Sequence, residues 1–123
     1  MKYLCLIHLD ESLLEAMPSA ELDQLNARHL DLNDELRESR HFVDAEALAP
    51  GKAARCVRVR DGKRSITDGP FAETKELIAG FYVIEARDFD EALAIAARIP
   101  SAALGTVEVR ETRQLEVPGR APG

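Results

Sequence analysis

The chain has no tryptophan and only four phenylalanines and two tyrosines among its 123 residues, so its interior has to be built from Leu, Ile, Val and Ala. Cysteine is nearly absent. Cys5 and Cys56 stand alone inside apolar runs, without the CxxC spacing of a redox or metal site, and read as buried free thiols of a reducing compartment. No apolar run approaches the ~20 residues that a membrane span requires. The stretch from Leu4 to Leu9 carries His8 and is too short for the core of a signal peptide, so the expected location is the cytoplasm. Positive charge is in deficit: 16 Lys and Arg against 22 Asp and Glu leave a formal charge of −6. That balance argues against nucleic acid or an anionic membrane as the main partner. Catalytic fingerprints are missing too. There is no G-x-S-x-G, no P-loop, no G-x-G-x-x-G and no H-x-x-x-H or H-E-x-x-H pair, so no nucleophile elbow, nucleotide cradle, metal site or cofactor is expected.

What is present fits one domain. Lys2 to Leu9 reads as a strand apolar on both faces, as in the middle of a covered sheet. Asp10-Glu11-Ser12 leaves it. Pro18-Ser19 opens a helix with Ser19 as N-cap, running to about Ser39. Its stripe is Leu22, Leu25, His29, Leu32 and Leu36, spaced three, four, three and four apart, one face of an amphipathic helix. A second strand spans about His41 to Leu48. Asp61-Gly62 between Arg55–Arg60 and Lys63–Thr67 signals a tight hairpin. A third main strand covers Gly80 to Ala86. Asp88 caps a second helix, with Glu91 at capping-box spacing and Leu93, Ala96, Ala97 and Ile99 as the expected buried stripe. A last strand occupies Gly105 to Arg110.

With the hairpin as an insertion, this order is βαββαβ: an α+β ferredoxin-like sandwich over residues 1–115, with 116–123 as a frayed tail. Both helices of such a sandwich cover one sheet face. The first strand is apolar on both faces, and so is the third main strand, with Phe81 and Val83 on one and Tyr82 and Ile84 on the other, so the face the helices leave open is an apolar surface that soluble monomers avoid. A homodimer packed sheet to sheet, barrel-like, is therefore expected.

The most unusual stretch is Asp68-Gly69-Pro70-Phe71-Ala72-Glu73-Thr74-Lys75-Glu76. Its first three residues signal chain reversal. The rest sets one aromatic wall beside several charged groups, the mixture a small-molecule pocket needs. Of the histidines, His29 interrupts a leucine stripe and reads as a core residue. His8 ends the first strand, where strands feed pockets, and His41 begins the second. Glu85 shares a face with Phe81 and Val83, where a carboxylate needs a partner; Glu108 and Arg110 are candidates on the last strand. Five of the sixteen basic residues (Arg55, Arg58, Arg60, Lys63, Arg64) lie in ten positions of the hairpin. They suit protection of an exposed edge, or the binding of an anionic ligand or an acidic partner.

The nonapeptide resembles the signature of the DGPF family, relatives of the YCII-related proteins. The similarity continues through Met1 to Ile7, His41-Phe42, Gly80-Phe81-Tyr82, Ile84 to Asp88, Ala97 to Pro100 and Gly105 to Arg110. It implies a small dimeric ferredoxin-like domain, distantly similar to muconolactone isomerase-type dimers. It also implies a gene neighbourhood with extracytoplasmic-function sigma factors, and for the YCII relatives a suggested His-Asp active site. His8 stands where relatives usually carry Tyr, Arg40 where Gly commonly precedes His-Phe, Leu77 and Ala79 where Gln and Gly follow the motif, and Glu111 where Pro often follows the last strand.

Together these readings describe a dimer that binds a small organic molecule under the Asp68–Glu76 loop. His8 or His41 is the candidate base and Asp68 its orienting carboxylate. Phe71, Lys75, Glu76 and Glu85 are the candidate substrate contacts. The alternative is a non-catalytic accessory domain that acts on a sigma factor through the basic hairpin.

Overall fold

The computed structural model describes residues 1–123. Its order is β1 (Lys2–Leu9), α1 (Glu11–Ala16), α2 (Ser19–Glu38), β2 (Phe42–Ala47), β3 (Arg55–Arg60), β4 (Lys63–Asp68), β5 (Leu77–Glu85), α3 (Phe89–Ala96) and β6 (Thr106–Glu111). Strands β2-β5-β1-β6 form one antiparallel sheet. The chain is thus a mixed α+β domain with three helices, an arrangement compatible with a ferredoxin-like fold. Strands β3 and β4 form a separate two-stranded sheet. Their turn has positive φ at both Asp61 (51°) and Gly62 (74°), the type I′ geometry that Asp-Gly favours.

Strand alternation sorts the sheet into two faces. Tyr3, Cys5, Ile7 and Leu9 of β1 and Tyr82 and Ile84 of β5 are buried toward the helices. They join Leu32 and Leu36 of α2 with Ala92, Ile95, Ala96 and Ile99 from α3 and the turn after it. α2 packs over β2, and α3 over β6. Tyr3 meets Phe89 edge to face at 5.3 Å. The opposite face holds Leu4, Leu6, Phe81 and Val83 half-buried, with no helix across them.

Three details differ from the sequence reading. α1 was not anticipated; Asp10 caps it, accepting from the Ser12 amide at 3.0 Å and the Ser12 hydroxyl at 2.7 Å. Those bonds hold the Asp10 carboxyl below its ordinary pKa. The stripe of α3 is rotated in part from the expected one: Ala96 and Ile99 are buried as expected, but Leu93 and Ala97 are exposed and Ala92 and Ile95 point inward instead. Size drew the expected stripe to Leu93, but the face packed into the core is the one that carries Ala92, Ile95 and Ala96. Finally, Pro18 rather than Ser19 occupies the N-cap of α2, and no side chain caps it.

α2 ends in a Schellman motif. Arg40 N–H donates to the Arg37 carbonyl (3.1 Å) and His41 N–H to the Leu36 carbonyl (2.9 Å), and this closure holds Arg40 at φ 65°. A Cβ is strained there, so Arg40→Gly is expected to stabilise the protein by about 0.5–1 kcal/mol in chemical denaturation.

At the N-terminus of α3, Asp88 accepts from the Glu91 amide at 2.8 Å, and Glu91 returns the bond to the Arg87 N–H at 3.0 Å rather than to Asp88. Glu91 also meets the Arg87 guanidinium at 2.7 Å and His41 Nε2 at 3.3 Å. The Arg87 N–H first, then the Arg87 guanidinium and the His41 ring, hold its carboxyl below the usual range. A depressed folded pKa contributes stability above the unfolded value of about 4.3, lost as pH falls through the folded value. Glu91→Gln is therefore expected to melt below wild type at pH 7, with the gap closing as pH is lowered toward about 3 in paired thermal melts.

Candidate functional site

The Asp68–Glu76 loop is anchored where the hairpin rejoins the body. Gly69 turns the chain at φ 92°, and its N–H donates to the Ala54 carbonyl at 2.7 Å. Opposite it runs the Leu48–Ala54 connector, whose one-turn 3-10 segment Gly51–Ala53 is tied down from α1. The Glu11 carboxylate accepts from the Gly51 amide at 2.9 and 3.1 Å. Between loop, connector and the start of β5 lies a cleft of about 690 Å³. Leu48, Pro50, Pro70, Phe71, Leu77 and Ile78 supply apolar wall; His8, Thr74 and Glu76 supply polar groups. That ratio of apolar wall to a few placed polar groups is typical of small-molecule sites.

His8 sits at the end of β1 on the uncovered face. A bulge at this point, between Ile7 and His8 of β1, shifts the pairing with β5. Bulges re-aim side chains beside functional sites. In the β1–β6 register Leu6 opposes Glu108 and His8 opposes Thr106, so His8 and Glu108 are diagonal neighbours on one face. His8 Nε2 lies 3.0 Å from Glu108 Oε1. A carboxylate only accepts, so Nε2 carries the proton, and in the neutral ring Nδ1 keeps its lone pair. Nδ1 makes no hydrogen bond within the protein. Beside them, Thr106 Oγ1 donates to Glu76 Oε1 at 3.4 Å. Gly105 makes the close approach possible: a Cβ there would run into the His8 carbonyl oxygen.

Of the residues expected from sequence, His8, Phe71 and Glu76 line the cleft. Phe71 stands at its mouth, 81% exposed, with the Arg58 guanidinium 5.9 Å from its ring centroid. Asp68 does not orient a histidine. Its exposed carboxylate faces Arg55 at 3.6 Å, and neither His8 nor His41 bonds to it. Lys75 is exposed and does not line the cleft; its charge is felt by Asp10. His41 lies at the other end of the sheet, where its carbonyl accepts from the Glu85 N–H at 2.8 Å. Both its ring nitrogens are engaged, Nδ1 with Ser39 Oγ at 2.7 Å and Nε2 with Glu91 at 3.3 Å. Glu85 shares that far end, 3.1 Å from the Met1 amino nitrogen rather than paired with Arg110 or Glu108. The carboxylate that reaches a histidine beside the cleft is Glu108. Sequence placed it only as a partner for Glu85, because the strand register that brings it to His8 is not written in either strand alone.

A YCII-related domain model matches residues 1–116. The chain belongs to the YCII-related family. An uncharacterised protein of Rhizobium meliloti (strain 1021) is 35% identical over 130 aligned positions, covering 99% of each chain. In this YCII-related chain no three His, Cys, Asp or Glu side chains converge as a metal-ligand set, and no helix is long and apolar enough to cross a membrane. The chemistry the cleft offers is therefore that of one imidazole backed by a carboxylate, a second carboxylate held by a threonine, and an apolar wall. Groups of these kinds are chemically able to exchange protons.

Proposed function

We propose that the protein binds a small organic molecule in the cleft under the Asp68–Glu76 loop and moves a proton on it, in an isomerase-like reaction. The observation that carries this reading is His8 on the wall of a cleft of about 690 Å³, its Nε2 held 3.0 Å from Glu108, which stands outside the lining. His8 is the general base. Glu108 replaces the expected Asp68 as its orienting group, fixing the tautomer and favouring the imidazolium formed when the proton arrives. Phe71 and Ile78 give the substrate an apolar contact, and Glu76 receives a hydroxyl or amide. An uncharged or weakly polar carbonyl compound with an acidic C–H suits this set, because no lysine or arginine lines the cleft to receive an anion.

The test is solvent exchange. Enolisable cyclic ketones and lactones incubated with the protein in D2O are expected to lose α-proton signal, followed by proton NMR. His8→Ala is expected to lower the rate by about 10²-fold or more. Glu108→Gln, with the hydrogen bond kept and the charge gone, is expected to lower it less. Exchange that is unchanged in His8→Ala removes the proposal.

The uncovered sheet face supports a homodimer packed sheet to sheet. Leu4, Leu6, Phe81 and Val83 form its apolar centre, ringed by Lys2, Asp44, Glu46, Glu85, Glu108 and Arg110. Leu6→Glu places a carboxylate in that centre and is expected to give a monomer in sedimentation velocity, where wild type sediments as a dimer.

A non-catalytic accessory role, with a sigma factor as partner, finds support in the hairpin. Val57, Val59 and Ile66 are 53–62% exposed on one of its faces, beside Arg55 and Arg64. This reading takes over if no ligand binds the cleft.

A further inference from the structure

A second cavity, of about 390 Å³, lies on the other face of the sheet, between α2 and the β2 side. Adjacent residues of the same strands divide between the two: His8 and Ile78 line the cleft, Ile7 and Ala79 this cavity. No residue lines both. Its wall is aliphatic, from Leu9, Leu14, Leu22, Leu25, Ala45 and Ala47.

Its polar groups are unequally served. His29 Nδ1 meets the Tyr82 hydroxyl at 3.0 Å and Nε2 the Ser101 hydroxyl at 2.7 Å. The Tyr82 hydroxyl also lies 3.4 Å from the His29 carbonyl. Those three side chains satisfy one another. Burial, and then the Arg28 charge, hold His29 below its ordinary range, so the ring is neutral at pH 7. Asn33 stands one turn further along α2, on the same face. Its Oδ1 is buried, closed off from the free space of the cavity, and has no donor anywhere in the protein, so a ligand reaches it only when the side chain turns. A buried amide oxygen left without a donor is disfavoured, and native structures rarely keep one without reason. The lining contains no lysine or arginine, and its one acidic residue is Glu46. An anion entering here finds no countercharge.

We propose that this cavity is a second ligand site, for an uncharged, mainly apolar molecule that carries one hydroxyl or amide N–H to donate to Asn33 Oδ1. The volume suits a molecule of fragment size. Because it is separate from the His8 cleft, its occupancy is read independently of proton transfer there.

Three probes of one shape decide it: benzyl alcohol (donor), toluene (no donor) and benzoate (anion), each titrated into the isotope-labelled full chain and followed in nitrogen–proton correlation spectra. Benzyl alcohol is expected to shift the Asn33 side-chain amide and the backbone amides of Leu25 and His29 to saturation. Toluene is expected to bind the same residues about tenfold more weakly, the worth of one hydrogen bond. Benzoate is expected to leave them unmoved. In Asn33→Leu, benzyl alcohol is expected to fall to the toluene affinity. The wild-type series stands without that variant should it fail to fold. The proposal is overturned if benzyl alcohol shifts none of these resonances, if all three probes bind alike, or if the shifts fall only on His8, Phe71 and Thr74.

Discussion

The alternation of β1 governs what the rest of the molecule can do. β1 is central, paired with β5 on one side and β6 on the other, and its odd-numbered residues Tyr3, Cys5, Ile7 and Leu9 all enter the core. A period of two then leaves no freedom for the even positions. Leu4 and Leu6 must face away from the helices, and His8 must join them at the strand's end. A one-residue slip would bury His8 and Lys2 and expel Tyr3, the strand's largest fully buried side chain. The cost of such a slip is the loss of the whole core contact of the strand, which is why the register holds His8 in place as firmly as it holds the packing.

The same sheet separates two kinds of polar arrangement. On the helix side, His29 is neutralised by burial and closed off by Tyr82 and Ser101. On the open side, His8 has one nitrogen tied to Glu108 and the other unbonded. The third histidine, His41, is closed at both nitrogens and stitches the end of α2 to the start of α3 through Glu91. Three histidines in one small domain thus stand in three different surroundings. Burial and partner count, rather than residue type, distinguish them.

How far the sequence could be read depended on the range of the interaction concerned. Asp61-Gly62 announced its hairpin because the turn geometry is set by the two residues that adopt it. Asp88 and Glu91 announced a helix start for the same reason, although the reciprocal bond went to Arg87. The stripe of α2 was legible from spacing, with Leu25, Leu32 and Leu36 buried as expected. α3 was misread because eight residues, four of them alanine or isoleucine inside a short amphipathic run, leave the choice of face to whatever packs against them. α1 was missed because six residues carry too little periodicity to register, and its anchor, the Glu11 bond to Gly51, spans forty positions.

By itself the sequence determined the order of the six strands and the two longer helices, the two-faced apolar sheet, the hairpin and the loop that shapes the cleft, since each rests on contacts within a few residues or on a strict repeat. Only the tertiary structure decided which carboxylate meets which histidine. Asp68, in the most distinctive motif, turned outward to Arg55, while Glu108, one hundred residues from His8, came within 3.0 Å. The physical reason is register: strand pairing sets lateral neighbours through backbone hydrogen bonds and core packing summed over the whole sheet, and no local pattern in either strand encodes that sum.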